Sequence, residues 1–253
     1  MNALRSAGFV LLFLLFAASV AMMASQHANR FWLSSLAGTL LLWLDWFNDR
    51  RPIMLLIALI FPVAAAGCQV VNFTLARLLQ HTVDAQMLQI DGGLSLVIYH
   101  WTTSHRLVWL LTDAVYKNIP LLMAVVLTDK GTKVRLMAKS LAVGSVMAPV
   151  FYCLVPAVGP GKTGDPLAAR NCMPSLHFGW ALIAVACSSR RMKWITLPFA
   201  IATAYATLGT GEHYWMDIVA AVPYTYLVLW ACERSYERTG ELELAAADWN
   251  RSS

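Results

Sequence analysis

Charge is what this sequence has least of. Asp, Glu, Lys and Arg together supply only 13% of its 253 residues, against about 25% in an ordinary soluble domain. That is too little to coat a water-soluble globule of this size. With 58% hydrophobic residues, the same scarcity excludes a disordered chain, which is poor in apolar residues and rich in charge. Cysteine is also sparse: five in the whole chain exclude a disulfide-built mini-protein. Internal repeats and low-complexity tracts are absent. The net charge of +5 does not signal nucleic acid, because the basic residues sit in small groups between apolar runs instead of forming a stripe. What remains is an all-α, polytopic transmembrane helical bundle.

A bilayer-crossing helix takes roughly 17–25 mostly apolar residues. Candidate runs lie at 8–24, 31–47, 53–75, 106–128, 134–155, 173–189, 194–211 and 214–232. The sixth and seventh are short or polar at one end, so the expectation is about six to eight spans. Between the third and fourth runs, Arg77 to His105 is of mixed polarity, and "LSLVIYHWTTSH" (94–105) reads as an interfacial helix or re-entrant segment. The expected organisation is N-terminal transmembrane helices over 1–92, a catalytic membrane domain over 93–232 and a charged cytoplasmic tail over 233–253.

Lys and Arg mark cytoplasmic loops. With an inside amino terminus and eight spans, the inside segments hold Arg5, Arg50, Arg51, Lys130, Lys133, Arg135, Lys139, Arg190, Arg191, Lys193, Arg234, Arg238 and Arg251, thirteen in all. The outside segments hold five: Arg30, Arg77, Arg106, Lys162 and Arg170. The first run also has the make-up of a signal peptide, with Arg5 before it and Ser19-Val20-Ala21 as a weak cleavage-site mimic; the charge bias favours an uncleaved span. Cys68, Cys187 and Cys232 lie in apolar runs as small packing residues. Cys153 and Cys172 flank one outer loop, where a disulfide between them is an open alternative.

Polar side chains are costly in a membrane, so their clustering carries information. Two segments stand out, and both fall on the outside face. In "RNCMPSLHFGW" (Arg170 to Trp180), Pro174 and Ser175 open a helix. The unpaired N–H groups of its first turn form an anion site, with His177 in that turn and Arg170 just before it. In "GTGEHYWMDIVAA" (Gly209 to Ala221), His213 and Asp217 are four residues apart and share a helix face. A carboxylate beside an imidazole fixes its tautomer and raises its basicity. Two His and one Asp could also hold zinc, but Lys162 and Arg170 would add positive charge there, and anion binding suits them better.

"PSLH" followed some 35 residues later by "GEHYWMD" resembles the type 2 phosphatidic acid phosphatase superfamily. The HYxxD form is most similar to its inositol phosphorylceramide synthase and sphingomyelin synthase branch, as is the loop "FYCLVPAVGPGK" (151–162). The resemblance implies that His213 attacks phosphorus to form a phosphohistidine. Asp217 would hold and polarise His213. His177 would protonate the leaving oxygen, while Ser175 and the helix start bind phosphate oxygens. The Lys-x6-Arg-Pro and Ser-Arg elements of the phosphatases are absent, with Thr207 standing where the latter's Arg would be. Lys162 and Arg170 are therefore the candidate phosphate-binding cations, with Lys117, one turn after Asp113, as a third candidate or a structural ion pair.

The expectation is thus an integral membrane lipid phosphatase or phosphotransferase, in a plasma or bacterial inner membrane, with its site on the non-cytoplasmic side. Its partners would be a lipid phosphate substrate and membrane lipids, with no nucleic acid, no metal and no organic cofactor. Hydrolysis and transfer to an alcohol are both compatible with these residues. The alternative is a transporter or flippase using intramembrane His, Asp and Lys, which predicts repeats or broken spans at matching positions in two halves. Outside the motifs, His81, His100 and His105 read as interfacial residues, and the roles of Asp84 and Asp91 stay open.

Overall fold

The structure, a computed structural model, describes residues 30–49, 52–79, 81–165 and 168–252, with side chains as far as 235. The predicted run at 8–24, its signal-peptide alternative, and Arg5, Arg50 and Arg51 lie outside the described residues. Within them the chain is all-helical, with no strand. Its helices are α1 (Arg30–Asp49), α2 (Pro52–Leu78), α3 (Asp84–Asp91), α4 (Leu94–Ser104), α5 (Arg106–Lys117), α6 (Ile119–Thr128), α7 (Val134–Leu154), α8 (Leu176–Cys187), α9 (Lys193–Gly209) and α10 (Trp215–Ser252).

Local sequence explains where these helices start and break. Pro52 opens α2, where its missing N–H costs nothing. Pro120 lacks the N–H that would continue α5 and crowds the turn before it, so the chain breaks at Asn118 and α5 and α6 meet at a bend of 50°. Asn118 donates both its backbone N–H, at 3.1 Å, and its side-chain Nδ2, at 2.7 Å, to the Ala114 carbonyl, closing the last turn of α5. Pro62, Pro149, Pro198 and Pro223 lie inside α2, α7, α9 and α10. Membrane helices tolerate such residues because neighbouring groups satisfy the freed carbonyls.

Among the described residues three helices are long and apolar enough to cross a bilayer, Ile53–Leu78, Val134–Leu154 and Trp215–Ser235, and α5 with α6 makes a fourth if the bent pair is one span. That is fewer than the six to eight expected. The runs at 31–47, 173–189 and 194–211 do fold as α1, α8 and α9. However, α8 has 12 residues and α9 has 17, short of the ~20 that a bilayer needs, and Ser34, Ser35, Thr39 and Asp45 dilute α1. The mixed segment folds as two helices, α3 and α4. The tail, left open as helix or coil, continues α10 to Ser252. Large apolar side chains such as Val70, Leu107, Val146, Leu154, Ile201 and Leu227 face outward, as expected of a surface solvated by lipid chains.

Two ends of the bundle are chemically distinct. At one, Lys130 pairs with Asp49 at 3.0 Å and Lys133 with Glu233 at 3.7 Å, Lys139 Nζ donates to Ser235 Oγ at 2.7 Å, and the Lys133 N–H reaches the Cys187 carbonyl at 2.9 Å. Just inside it, Leu42, Met54, Met123, Leu127, Met137 and Ile183 form the main apolar core. The other end is built by the loop 155–175, the turn 210–214 and α3. Helix α7 joins the two, and its 21 residues rise about 31 Å at 1.5 Å per residue, the thickness of a hydrocarbon core.

Candidate active site

His213 stands at the second end, in the turn between α9 and α10, and is 3% exposed. Its Nδ1 lies 2.9 Å from the Cys172 carbonyl and 3.4 Å from Asp217 Oδ2. Both partners only accept hydrogen bonds, so Nδ1 carries the proton and Nε2 keeps a lone pair. Nε2 faces Ser175 Oγ at 3.3 Å, and that hydroxyl is the donor between them. Asp217 is fully buried. Its Oδ2 also accepts the Tyr214 N–H at 2.7 Å, and its backbone carbonyl accepts the Ser175 N–H at 3.2 Å. The starts of α8 and α10 are thereby tied together at His213.

Ser175 caps α8, with its hydroxyl 3.5 Å from the Phe178 N–H. The N–H groups of a first helical turn have no intrahelical partner and point at the same space. His177 lies in that first turn, its ring centre 6.5 Å from that of His213. It stacks on Tyr116 of α5 at 4.0 Å and 21°, with Trp180 at 5.7 Å and Phe31 at 6.3 Å around it. Among the described residues, His177 Nε2, Trp180 Nε1 and Asp217 Oδ1 are buried and meet no hydrogen-bond partner.

The two loops that flank His213 fit backbone to backbone. Gly159 has φ +88°, and a Cβ there would come within 2.4 Å of the Glu212 backbone. The Gly161 N–H donates to the Gly211 carbonyl at 2.9 Å. Lys162 Nζ sits 3.6 Å from Glu212 Oε1, both side chains partly exposed. Arg170 is 5% exposed, and its guanidinium donates to the carbonyls of Leu79 and Ala168 at 3.3 and 2.5 Å.

The fold therefore brings together four of the six residues singled out by sequence: His213, Asp217, Ser175 and His177. Arg170 braces the loop through carbonyl oxygens, and Lys162 stands beside the site paired with Glu212. Lys117 bonds Asp113 at 2.6 Å, a pair partly exposed on one side. Thr207 is buried, with its hydroxyl on the Ala204 carbonyl. Cys153 and Cys172 are both free, the former exposed and the latter buried.

Donor atoms of Cys172, His213 and Asp217 lie within 4.8 Å of one another, which raises the question of a metal. Each already has a protein partner: Cys172 Sγ donates to the Glu212 carbonyl at 2.9 Å, besides the Nδ1 and Oδ2 contacts above. Burial, followed by the Asp217, Asp84 and Glu212 carboxylates, pushes the Cys172 thiol well above its ordinary range, whereas a metal needs the thiolate. In this structure the three groups form the hydrogen-bond network of His213.

Several groups that the fold places here have no role assigned from the sequence. Tyr116 carries no local signal, since only the α5–α8 packing brings it to His177. Glu212 adjoins His213 in sequence and could have been weighed as a partner for Lys162. Asp84 and Asp91, the acids of the mixed segment, reach the residues that follow His213.

Fold and site together define a helical membrane protein with a buried His–Asp pair facing the first turn of a second helix. Residues 161–231 match the family model described as the PAP2 superfamily, a stretch that contains all six predicted site residues and less than a third of the chain. No curated protein and no solved structure matches this chain.

Proposed function

We propose that the protein is an integral membrane lipid phosphatase or phosphotransferase that works through a phosphohistidine on His213. The observation that carries this reading is the pair of acceptors on His213 Nδ1, which leaves Nε2 as a lone-pair nucleophile aimed at the start of α8. The match of 161–231 to the PAP2 superfamily supports phosphate-ester chemistry at this position.

In the first step Nε2 attacks phosphorus and the P–O bond to the leaving group breaks. The leaving oxygen takes a proton from His177, whose ring is on the scale of one phosphorus and one hydrogen bond away (~3 Å each). Asp217 stabilises the imidazolium-like charge that develops on His213. Ser175 Oγ and the first-turn N–H groups of α8 hold the non-reacting oxygens, and Lys162 turns from Glu212 towards the phosphate, adding the charge stabilisation that dominates such reactions. Arg170 contributes its charge from behind the loop. In the second step a water or alcohol loses its proton to His177 and attacks the phosphohistidine, releasing phosphate or a new phosphodiester. The HYxxD form favours transfer, as in the inositol phosphorylceramide synthase and sphingomyelin synthase branch. The basic end of the bundle lies opposite the site, which by the positive-inside rule supports a non-cytoplasmic active site.

The test is turnover of labelled phosphatidate, a polyprenyl diphosphate and a phosphoinositide by purified protein, with and without alcohol acceptors. Acid-labile label on the wild type and none on His213→Ala supports the reading. Equal processing of every lipid by wild type, His213→Ala and His177→Ala sinks it.

A further inference from the structure

The reaction above gives no role to α3, yet both acids of this short helix hold the chain next to His213. Asp84 at its start is 6% exposed. Its Oδ1 accepts the Val158 N–H at 3.1 Å, the Gly159 N–H at 3.2 Å and the Tyr214 hydroxyl at 3.0 Å, with Oδ2 3.3 Å from the Val158 N–H. Asp91 at its end accepts the Trp215 N–H at 3.3 Å and the Ser95 N–H at 2.8 Å. Tyr214 and Trp215 are the two residues that follow His213.

We infer that Asp84 is a positioning residue, joining the 156–162 loop to Tyr214 and so setting where His213 Nε2 stands relative to Lys162 and the first turn of α8. The inference rests on the reading of His213 as nucleophile. A buried carboxylate is costly unless fully bonded, and among the described residues no Lys, Arg or His forms an ion pair with this one. Its charge is met by three donors from two segments that are joined to each other at Gly161 and Gly211. The relay continues: the Tyr214 N–H donates to Asp217 Oδ2, the same oxygen that faces His213 Nδ1. Asparagine keeps a carbonyl oxygen for the three donors that Oδ1 takes, but it removes the charge and sets an NH2 group against the Val158 N–H where Oδ2 stands. An apolar residue would fill the space and leave two backbone N–H groups and a phenol without partners.

The experiment compares full-length wild type with Asp84→Asn, Tyr214→Phe, the double variant and His213→Ala in detergent. The readouts are turnover of phosphatidate and a polyprenyl diphosphate, binding of orthovanadate followed by tryptophan fluorescence, and thermal unfolding. Tyr214→Phe removes one oxygen and should keep the unfolding temperature. Displacing the nucleophile should lower kcat about ten-fold in Tyr214→Phe and about a hundred-fold in Asp84→Asn, with KM within about two-fold. Because the two groups act through one bond, the double variant should be no worse than Asp84→Asn. If neither lipid is turned over, vanadate affinity about ten-fold weaker in Tyr214→Phe is the supporting result. Wild-type kcat and vanadate affinity in Tyr214→Phe overturn the inference, as do losses in the two variants that simply multiply. Wild-type turnover in His213→Ala sinks the reading of the nucleophile instead, whatever the Asp84 variants do.

Discussion

The His177 ring lies flat on Tyr116, with centres 4.0 Å apart and planes 21° apart. The contact joins α8 to α5, the helix that leads into the break at Asn118, and leaves the imidazole little freedom to tilt. A stacked aromatic pair contributes about 0.5–1.5 kcal/mol beyond the area it buries, and here that stabilisation serves orientation. Tyr116→Phe keeps the ring and should retain wild-type turnover. Tyr116→Ala should lower kcat about ten-fold, the equivalent of some 1.4 kcal/mol, while protein still labelled on His213 accumulates, because the first step loses less than the second when the base swings away. Single-turnover kinetics with quenched-flow detection of the acid-labile species would show this. Equal losses in Phe and Ala variants would instead point to the phenol oxygen.

Asp217 is expected to be more sensitive than its neighbours suggest. Asp217→Asn keeps shape and volume, with its carbonyl oxygen able to stand in for Oδ2 and its NH2 group where Oδ1 meets no donor or acceptor among the described residues, but it removes the charge opposite His213 Nδ1. Nδ1 would keep the Cys172 carbonyl, so the tautomer survives, but the developing imidazolium loses its counter-charge. A fall in kcat of roughly 10²–10⁴-fold is expected, with little change in KM. Steady-state turnover measured alongside thermal unfolding separates this from simple destabilisation, since Asp217 Oδ2 also holds the Tyr214 N–H.

How much of this could be read before the fold was known follows from the range of the interactions. The helical class depends on composition, and the nearness of His213 to Asp217 on a four-residue spacing, both local, although His213 stands in the turn before α10 and does not share a helix face with Asp217 as expected. The meeting of His177 with His213 followed from two motifs and a consistent topology, and the 6.5 Å ring separation agrees with it. The number of bilayer crossings did not follow, because hydropathy windows run through the loops. The run at 173–189 includes the cap and the turn before α8, and only 12 of its residues are helical. Asp84 acts across 130 positions to Tyr214, and no spacing rule reaches that far. Arg170 was read by its charge alone, whereas burial and two backbone carbonyls decide what its guanidinium touches.

Lys162 and Glu212 make a pair whose removal should alter binding more than stability. Both side chains are partly solvated, at 43% and 33%, and such pairs contribute about 0–1 kcal/mol. Glu212→Gln releases Lys162 and takes one negative charge from the mouth of the site. The expected result is a KM for an anionic phospholipid lowered a few-fold, with kcat and unfolding temperature unchanged. Lys162→Gln should raise KM, and the effect should shrink as salt is added, since partly exposed charges are screened. A rise in KM for Glu212→Gln would mean that the carboxylate itself contacts substrate, for instance an acceptor hydroxyl.

Gly159 and Gly164 allow backbone strain to be separated from crowding. Both have positive φ, +88° and +89°, but a Cβ at Gly164 meets nothing within 4 Å, while at Gly159 it would come 2.4 Å from the Glu212 backbone. Alanine at Gly164 therefore costs only the left-handed conformation, about 1 kcal/mol. Alanine at Gly159 adds a clash with a segment that cannot yield without moving His213, one residue away. Gly164→Ala should fold, unfold slightly earlier and keep full turnover. Gly159→Ala should lose about 3 kcal/mol or more, and whatever folds should turn over slowly even well below its unfolding temperature. Differential scanning fluorimetry in detergent, with turnover measured on the folded fraction, checks the order. Equal effects at the two glycines would mean that the 156–162 loop is not pressed against the turn before α10, and the spacing argued for Lys162 and His213 would fail with it.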